Sequence, residues 1–262
     1  MQQFRLAAID LDGTLLRSDS SISDRSRAAI AAARAAGVTV TIVTARGPVS
    51  VREIARDAGI GGAAVCSNGA LVLDLESGVV RRQRLLDTEI ALELVHGMRR
   101  EIPGIRFAVE YKTFAHEPGF SAWGWEPPAG TRVADAVELL ADPATKLILR
   151  HPDHALEAIA AVAHALVGEG AEIVASGSHA IEVTAAGVNK ASGLAELADE
   201  LGIESADVVA FGDYPNDAAM LVWAGLGVAV SNAHAEVLAV ADEVTASNDD
   251  DGVALVLERL LA

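Results

Sequence analysis

The chain reads as an α/β protein: a Rossmann-like parallel-sheet core carrying an inserted α+β domain. Two observations predict this. The first eighty or so residues alternate short β-type runs with helical patterns, and the last eighty repeat that rhythm. The middle differs, with most of the prolines, two of the three tryptophans and longer helical stretches between its strands.

The elements follow in order. Phe4 to Ile9 is a short apolar run and reads as a strand. Ser23 offers an N-cap for a helix reaching about Ala36, with Gly37 at the stop position. Val38 to Val43 is β-branched and too short for a helix, so it predicts a second buried strand. Pro48 suits the first turn of a helix ended by Gly59, and Ala63 to Cys66 is a third strand. In the last part, a helix from Lys190 to Leu201 leads into the strand Val208 to Phe211. There follow a helix from Asp217 to Trp223, a strand from Gly227, a helix near Ala235, the strand Glu243 to Thr245 and a helix from Gly252. Between these halves, strands at Arg106 to Val109, Lys146 to Leu149 and Ile181 to Val183 alternate with helices at Thr88 to Arg100 and Asp153 to Val167. The expected domains are therefore residues 1–80 with 185–262 as the core, and 81–184 as the insertion.

Composition narrows the function. Lys and Arg number 20 against 37 Asp and Glu in 262 residues, so the formal charge is −17. A protein that binds nucleic acid needs a basic stripe to displace counterions, and one that sits on anionic lipid needs the same sign of charge; neither partner is expected. No stretch approaches the ~18–20 uncharged apolar residues of a membrane span. Two carboxylates arrive before any signal-peptide core could form, and Cys66 is the only cysteine, so the reading is a cytoplasmic protein with no internal disulfide.

The chemistry gathers at strand ends. The first strand runs into Asp10-Leu11-Asp12-Gly13-Thr14. Carboxylates at i and i+2 share one face of the chain and repel, which is costly unless a cation sits between them. Oxygen ligands of this kind suit Mg²⁺, and ligands of open α/β sheets bind at the carboxyl ends of strands. The second strand ends in Thr44-Ala45-Arg46-Gly47, offering a hydroxyl and an N–H to a phosphate. Lys190 opens a helix where its charge opposes the helix dipole, so an anion facing it is the better explanation. Val208 to Phe211 ends in Gly212-Asp213-Tyr214-Pro215-Asn216-Asp217. Four carboxylates, one lysine, one threonine and one asparagine at the ends of one sheet point to a phosphate and metal site.

Taken together, Asp10-x-Asp12-Gly13-Thr14, Thr44-x-Arg46, Ser67-Asn68-Gly69-Ala70, Gly187-Val188-Asn189-Lys190 and Gly212-Asp213-x-x-Asn216-Asp217 resemble the haloacid dehalogenase-like (HAD) hydrolases. Within them the match is to the Cof-type phosphatases with a type IIB (C2B) cap. The resemblance spans the chain, and the tail from Ala224 to Ala233 shares it. It implies a Mg²⁺-dependent phosphatase of a small phosphorylated metabolite, such as a sugar phosphate or a phosphorylated cofactor. Asp10 would be the nucleophile that forms an aspartyl phosphate, and Asp12 the acid and base. Thr44, Lys190 and Asn216 would bind the phosphoryl group. The metal would be held by Asp10, the Asp12 backbone carbonyl and Asp213, with Asp217 assisting it or orienting Lys190.

The insertion would be a lid that reads the leaving group, with Tyr111, His116, Trp123 and Trp125 as candidates that could equally build the insertion's own interior. Two alternatives accompany this reading. A hexose-type phosphomutase would need clustered cap arginines, whereas Arg99, Arg100, Arg106, Arg132 and Arg150 are scattered in sequence. A non-catalytic phosphate-binding regulator would have no use for Asp12. The run Asn248 to Gly252 lacks the ligand spacing of a calcium hand and reads as a loop capping the last helix. Oligomeric state cannot be read from the sequence.

Overall fold

The computed structural model describes residues 4–111, 113–120, 127, 130–177 and 180–262. They divide into two compact units, residues 1–82 with 189–262, and residues 83–188.

The first unit opens with β1 (Leu6–Ile9) and α1 (Asp24–Ala35), capped by Ser23, whose side chain accepts the Ser26 N–H. β2 (Thr39–Ile42) and α2 (Pro48–Ala58) follow, and Gly59 closes α2 in the left-handed region at φ +70°. β3 (Ala63–Cys66) then turns back through β4 (Leu71–Asp74) and β5 (Val80–Gln83) as a three-stranded sheet. The sequence reading had neither β4 nor β5. Leu71 to Leu73 is a run too short to distinguish from a loop, and the turn is made by Ser77, whose N–H and hydroxyl both donate to Asp74.

The second unit begins at α3 (Thr88–Glu101), capped by Asp87, and continues through β6 (Arg106–Glu110), β7 (Phe114–His116), β8 (Arg132–Val133) and α4 (Ala136–Leu139). β9 (Lys146–Arg150), α5 (Leu156–Val167), β10 (Ala171–Ser176) and β11 (Ala180–Ala185) complete it. Its sheet has the order β10-β11-β9-β6-β7-β8, antiparallel except where β7 meets β8. Leu94 and Met98 of α3 and Ile159 of α5 bury one sheet face with Phe107, Val109, Leu147 and Leu149. The other face carries Ala108 and Ile148 beside Phe120, and the buried ion pair of Lys146 with Glu182 at 2.9 Å.

The chain returns to the first unit with α6 (Lys190–Glu200), β12 (Val208–Gly212), α7 (Ala218–Trp223), β13 (Leu226–Val230), α8 (Ala235–Val240), β14 (Glu243–Thr245) and α9 (Gly252–Leu261). Five strands form a parallel sheet in the order β14-β13-β12-β1-β2, and a parallel bridge from Val43 to Val65 brings β3 to its edge. β1, with a parallel neighbour on each side, is buried on both faces. Ala7 and Ile9 of β1 pack with Ile30, Val51 and Leu257, while Leu6 and Ala8 pack with Leu194, Met220 and Val237. That is why β1 is a continuous apolar run and not an alternating one. Each fully buried Ile, Leu or Phe here contributes about 1.5–3 kcal/mol. The sheet is thereby a rigid base, and β1, β2 and β12 present their carboxyl ends on one edge.

The loop from Asn248 to Asp251 does not cap α9 by a side chain. It is clamped instead to the segment after β1. Asp251 pairs with Arg17 at 2.8 Å, Asp249 accepts the Ser18 N–H and hydroxyl, and the Asn248 amide donates to Leu16. Among the described residues no helix is long and apolar enough to cross a membrane.

Candidate active site

The site starts where β1 runs out. The Asp10 N–H donates to the Phe211 carbonyl at 3.1 Å, so the sheet ladder still fixes its backbone, and the residue is 4% exposed. The chain then reverses. Gly13 sits at φ +79°, and a Cβ there would lie 2.3 Å from Asp213 Oδ2. Only glycine satisfies both demands. Asn232 donates to the Gly13 carbonyl at 2.8 Å and pins the turn. The Thr14 hydroxyl donates to Asp213 Oδ1 at 3.0 Å, aligning that carboxylate at the neighbouring strand end.

β12 supplies the second group of acids. Asp217 is fully buried, and its Oδ2 accepts the N–H groups of Asp213 at 3.1 Å and Tyr214 at 3.0 Å. Its other oxygen receives Lys190 Nζ at 2.6 Å, and the same ammonium lies 2.7 Å from Asp10 Oδ1. Lys190 is the first residue of α6, held there by a capping box between Asn189 and Ser192. The sequence reading gave it an anion to face, and the anions here are the two carboxylates.

Asp10, Asp213 and Asp217 each offer an oxygen within 4.8 Å of the others. Three carboxylates against one ammonium leave an excess of negative charge in a buried space. Burial pushes the Asp10 carboxyl well above the usual range; Lys190 opposes this while Asp217 and Asp213 add to it. Burial and Asp217 push Asp213 up to about 6. Burial works against the Lys190 charge, but Asp10 and Asp217 hold the ammonium above the ordinary lysine range. An all-oxygen set under this repulsion fits a hard divalent cation. Mg²⁺ prefers such oxygen ligands, and Asp10, Asp213 and Asp217 are the carboxylates that could contribute to holding one.

Asp12 is placed differently. Its side chain is 58% exposed and meets Arg46 in a two-pronged ion pair, Nε to Oδ2 at 2.7 Å and Nη2 to Oδ1 at 2.5 Å. Its carboxylate is not one of the three that could share a cation. The Arg46 pairing joins positions 34 residues apart, and no sequence signal beyond the Thr44-x-Arg46 spacing pointed to it.

Thr44 is buried, but only part of what the sequence offered remains. Its N–H donates to the Val65 carbonyl at 2.9 Å and is spent, while its hydroxyl oxygen accepts the Arg46 N–H at 3.2 Å and keeps its own hydrogen to donate. Asn216 donates its amide to Asn68 Oδ1 at 3.0 Å, and its own Oδ1 is buried with no partner. A carbonyl oxygen cannot donate to a phosphoryl oxygen; a half-turn of the amide would put its NH₂ in that place and would give up the bond to Asn68.

A short left-handed turn ties these pieces together. Ser67, Asn68 and Gly69 all have positive φ, at 53°, 56° and 97°. Ser67 N–H donates to the Arg46 carbonyl and Asn68 N–H to the Thr44 carbonyl. A Cβ on Gly69 would lie 2.0 Å from the Asn189 carbonyl oxygen, so this turn also sets where α6 and Lys190 begin. Non-glycine residues in this conformation cost about 1–3 kcal/mol each and persist where surrounding bonds fix them.

In the second unit, the Tyr111 hydroxyl donates to the Leu139 carbonyl, and His116 is buried beside Phe114 and Phe120 with its Nδ1–H on the Glu117 carbonyl. Both are part of that unit's interior. Trp123 and Trp125 lie outside the described residues. Arg99 and Arg132 are engaged by carboxylates. Arg106 and Arg150 are cross-strand neighbours, a proximity the sequence did not reveal, and Arg150 stacks on Phe120.

Comparison with known proteins identifies the family. The family model of haloacid dehalogenase-like hydrolases matches residues 7–257. The chain is similar to a 5-amino-6-(5-phospho-D-ribitylamino)uracil phosphatase of Bacillus subtilis, with 32% identity over 97% of this chain and 95% of that one. Among solved structures it is similar to BT1666 of Bacteroides thetaiotaomicron, described among phosphatases of the superfamily, with 26% identity, a TM-score of 0.85 and coverage of 99% and 96%. It shares the fold of the subclass IIB sugar phosphatase BT4131, with 22% identity, a TM-score of 0.86 and coverage of 97% and 98%. The strand-end acids, the lysine at the start of α6 and this match over nearly the whole chain lead to one conclusion: the chain belongs to the haloacid dehalogenase-like hydrolases, an enzyme family whose members similar to it are phosphatases.

Proposed function

We propose that the protein is a Mg²⁺-dependent phosphatase that hydrolyses a small phosphorylated metabolite through an aspartyl phosphate on Asp10. One observation carries the reading: a buried Asp10 whose oxygen lies 2.7 Å from Lys190, beside Asp213 and Asp217. Mg²⁺ would be held by Asp10, the Asp12 carbonyl and Asp213, and when bound it would offset the charge that otherwise pushes these carboxyls toward protonation.

Asp10 then attacks phosphorus as the bond to the leaving oxygen breaks, and Asp12 gives that oxygen its proton. In the second displacement Asp12 takes a proton from water, the water oxygen attacks the same phosphorus, and Asp10 leaves. Lys190 and the Thr44 hydroxyl bind phosphoryl oxygens and stabilise charge spread over them. Asn216 joins them once its amide turns. Asp217 orients Lys190, which its two short contacts with that ammonium and with the Asp213 loop favour over direct metal binding.

The substrate class we infer is a phosphate ester of a sugar or sugar alcohol, by analogy with the phosphoribityl substrate named for the Bacillus relative. Residues 83–188 would read the leaving group and exclude water, and the cytoplasm would be the setting. The phosphomutase alternative has less support, because Arg99 and Arg132 are committed to carboxylates. The test is release of inorganic phosphate from an aryl phosphate and from a panel of sugar and polyol phosphates, with Mg²⁺ and with chelator. Release that needs the cation and disappears in Asp10→Asn supports the proposal. Isomerisation of a hexose phosphate without release would favour the mutase, and binding without turnover would overturn both.

A further inference from the structure

We propose that Arg46 is a positioning residue for Asp12, holding that carboxylate where the leaving group and then water must meet it. The inference rests on the phosphatase reading above. Asp12 follows the apolar strand but projects into solvent, and its side chain is 58% exposed. Such a carboxylate has little packing to select one rotamer. The Arg46 fork engages both of its oxygens, at 2.7 and 2.5 Å, and so fixes the plane of the carboxylate as well as its position.

Arg46 is itself anchored from two sides. Its N–H donates to the Thr44 hydroxyl at 3.2 Å, and its carbonyl accepts the Ser67 N–H at 3.0 Å from the strained turn. The position of the fork is therefore set by the loop that supplies the phosphate-binding threonine. Stability gives a poor account of this arrangement, since solvent-exposed ion pairs add little to it. Geometry gives a better one: a proton donor or acceptor misplaced by about 1 Å can lose about 10²-fold in rate.

The experiment is a double-mutant cycle on aryl phosphate hydrolysis with Mg²⁺, using wild type, Arg46→Ala, Asp12→Ala and the double variant, with Arg46→Lys alongside. With Asp12 present, Arg46→Ala is expected to lower kcat by about 10–100-fold with KM changed less than about threefold. With Asp12 already absent, the same substitution is expected to cost less than about threefold. Arg46→Lys keeps the charge but not the fork, and should fall between. Thermal melts of all four should coincide within a few degrees.

An equal loss in both backgrounds, or a loss confined to KM, overturns the inference, because Arg46 would then act on substrate directly. In that outcome an active wild type and a dead Asp10→Asn would leave the phosphatase reading standing. A wild type that turns over no phosphate ester overturns both.

Discussion

Lys190 Nζ lies 2.7 Å from Asp10 Oδ1, joining two buried residues 180 positions apart in the chain. The same ammonium reaches Asp217 at 2.6 Å, so one cation serves two carboxylates. This pairing decides how the rest of the site behaves.

Replacing Lys190 with Met removes that cation and keeps most of the volume. Breaking a buried ion pair from one side costs about 3–5 kcal/mol, because the remaining charges are left uncompensated. Chemical denaturation in chelator should show that loss, and a divalent cation should restore part of it. Phosphate release should fall by about 10²–10³-fold, the scale of losing one preorganised donor to the transition state.

The raised Asp213 carboxyl gives a pH signature. Its ordinary value is 3.8 and burial with Asp217 pushes it up to about 6, so between these the folded protein binds more protons than the unfolded chain. Without metal, this residue therefore lowers stability as pH rises from about 4 to about 6, and its cost is fully present above that. Acids whose values are lowered, Asp135 among them, act in the opposite direction, so the comparison is made against Asp213→Asn. The stability of Asp213→Asn relative to wild type should grow across that window in chelator and stay flat above it. A difference independent of pH would show that burial and Asp217 do not raise the Asp213 carboxyl.

Gly13→Ala faces two penalties at once, a left-handed φ of +79° and a Cβ placed 2.3 Å from Asp213 Oδ2. Asp213 must rotate to admit the methyl group. Activity should fall by about 10²-fold, in line with a small displacement of a site group. Thermal stabilisation by added Mg²⁺ should shrink in the same variant, read as the melting shift over a titration.

Asn68 separates backbone strain from side-chain bonding. Its φ is 56°, which glycine adopts without cost and alanine does not, and its Oδ1 receives the Asn216 amide. Asn68→Ala should be less stable than Asn68→Gly by about 1–2 kcal/mol in urea denaturation. Equal losses would mean that the Asn216 contact, and not the turn conformation, is what the residue supplies.

Much of this was legible in the sequence. The apolar run ending in Asp10, the Ser23 cap, Gly59 and the Gly212 to Asp217 segment each carry a local signal, and the sheet follows from their alternation. The second unit was harder. β10 is only partly buried and mixes Glu172 and Ser176 with apolar residues, so it lacks a clear period. α5 begins at Leu156 and not at Asp153; residues 152–154 form a bend, in which the Asp153 N–H donates to the His151 ring. α7 likewise starts one residue late, since Pro215 to Asp217 forms a tight turn of its own.

Within the site, residue types were legible and their partners were not. Asp12 and Arg46 announce nothing about each other, and Thr14 and Asn232 gain meaning only when Asp213 and Gly13 are seen beside them. Contacts of that kind join distant strand ends, and short-range pattern carries no record of them.

The most direct measurement is acid quenching of the enzyme during turnover of an aryl phosphate, followed by mapping of any phosphoryl adduct by peptide mass. The account predicts an acid-stable, base-labile phosphoryl group on the peptide that carries Asp10, lost in Asp10→Asn and accumulating in Asp12→Ala. Turnover with no adduct on that peptide in any variant, or an adduct on a different side chain, would contradict it.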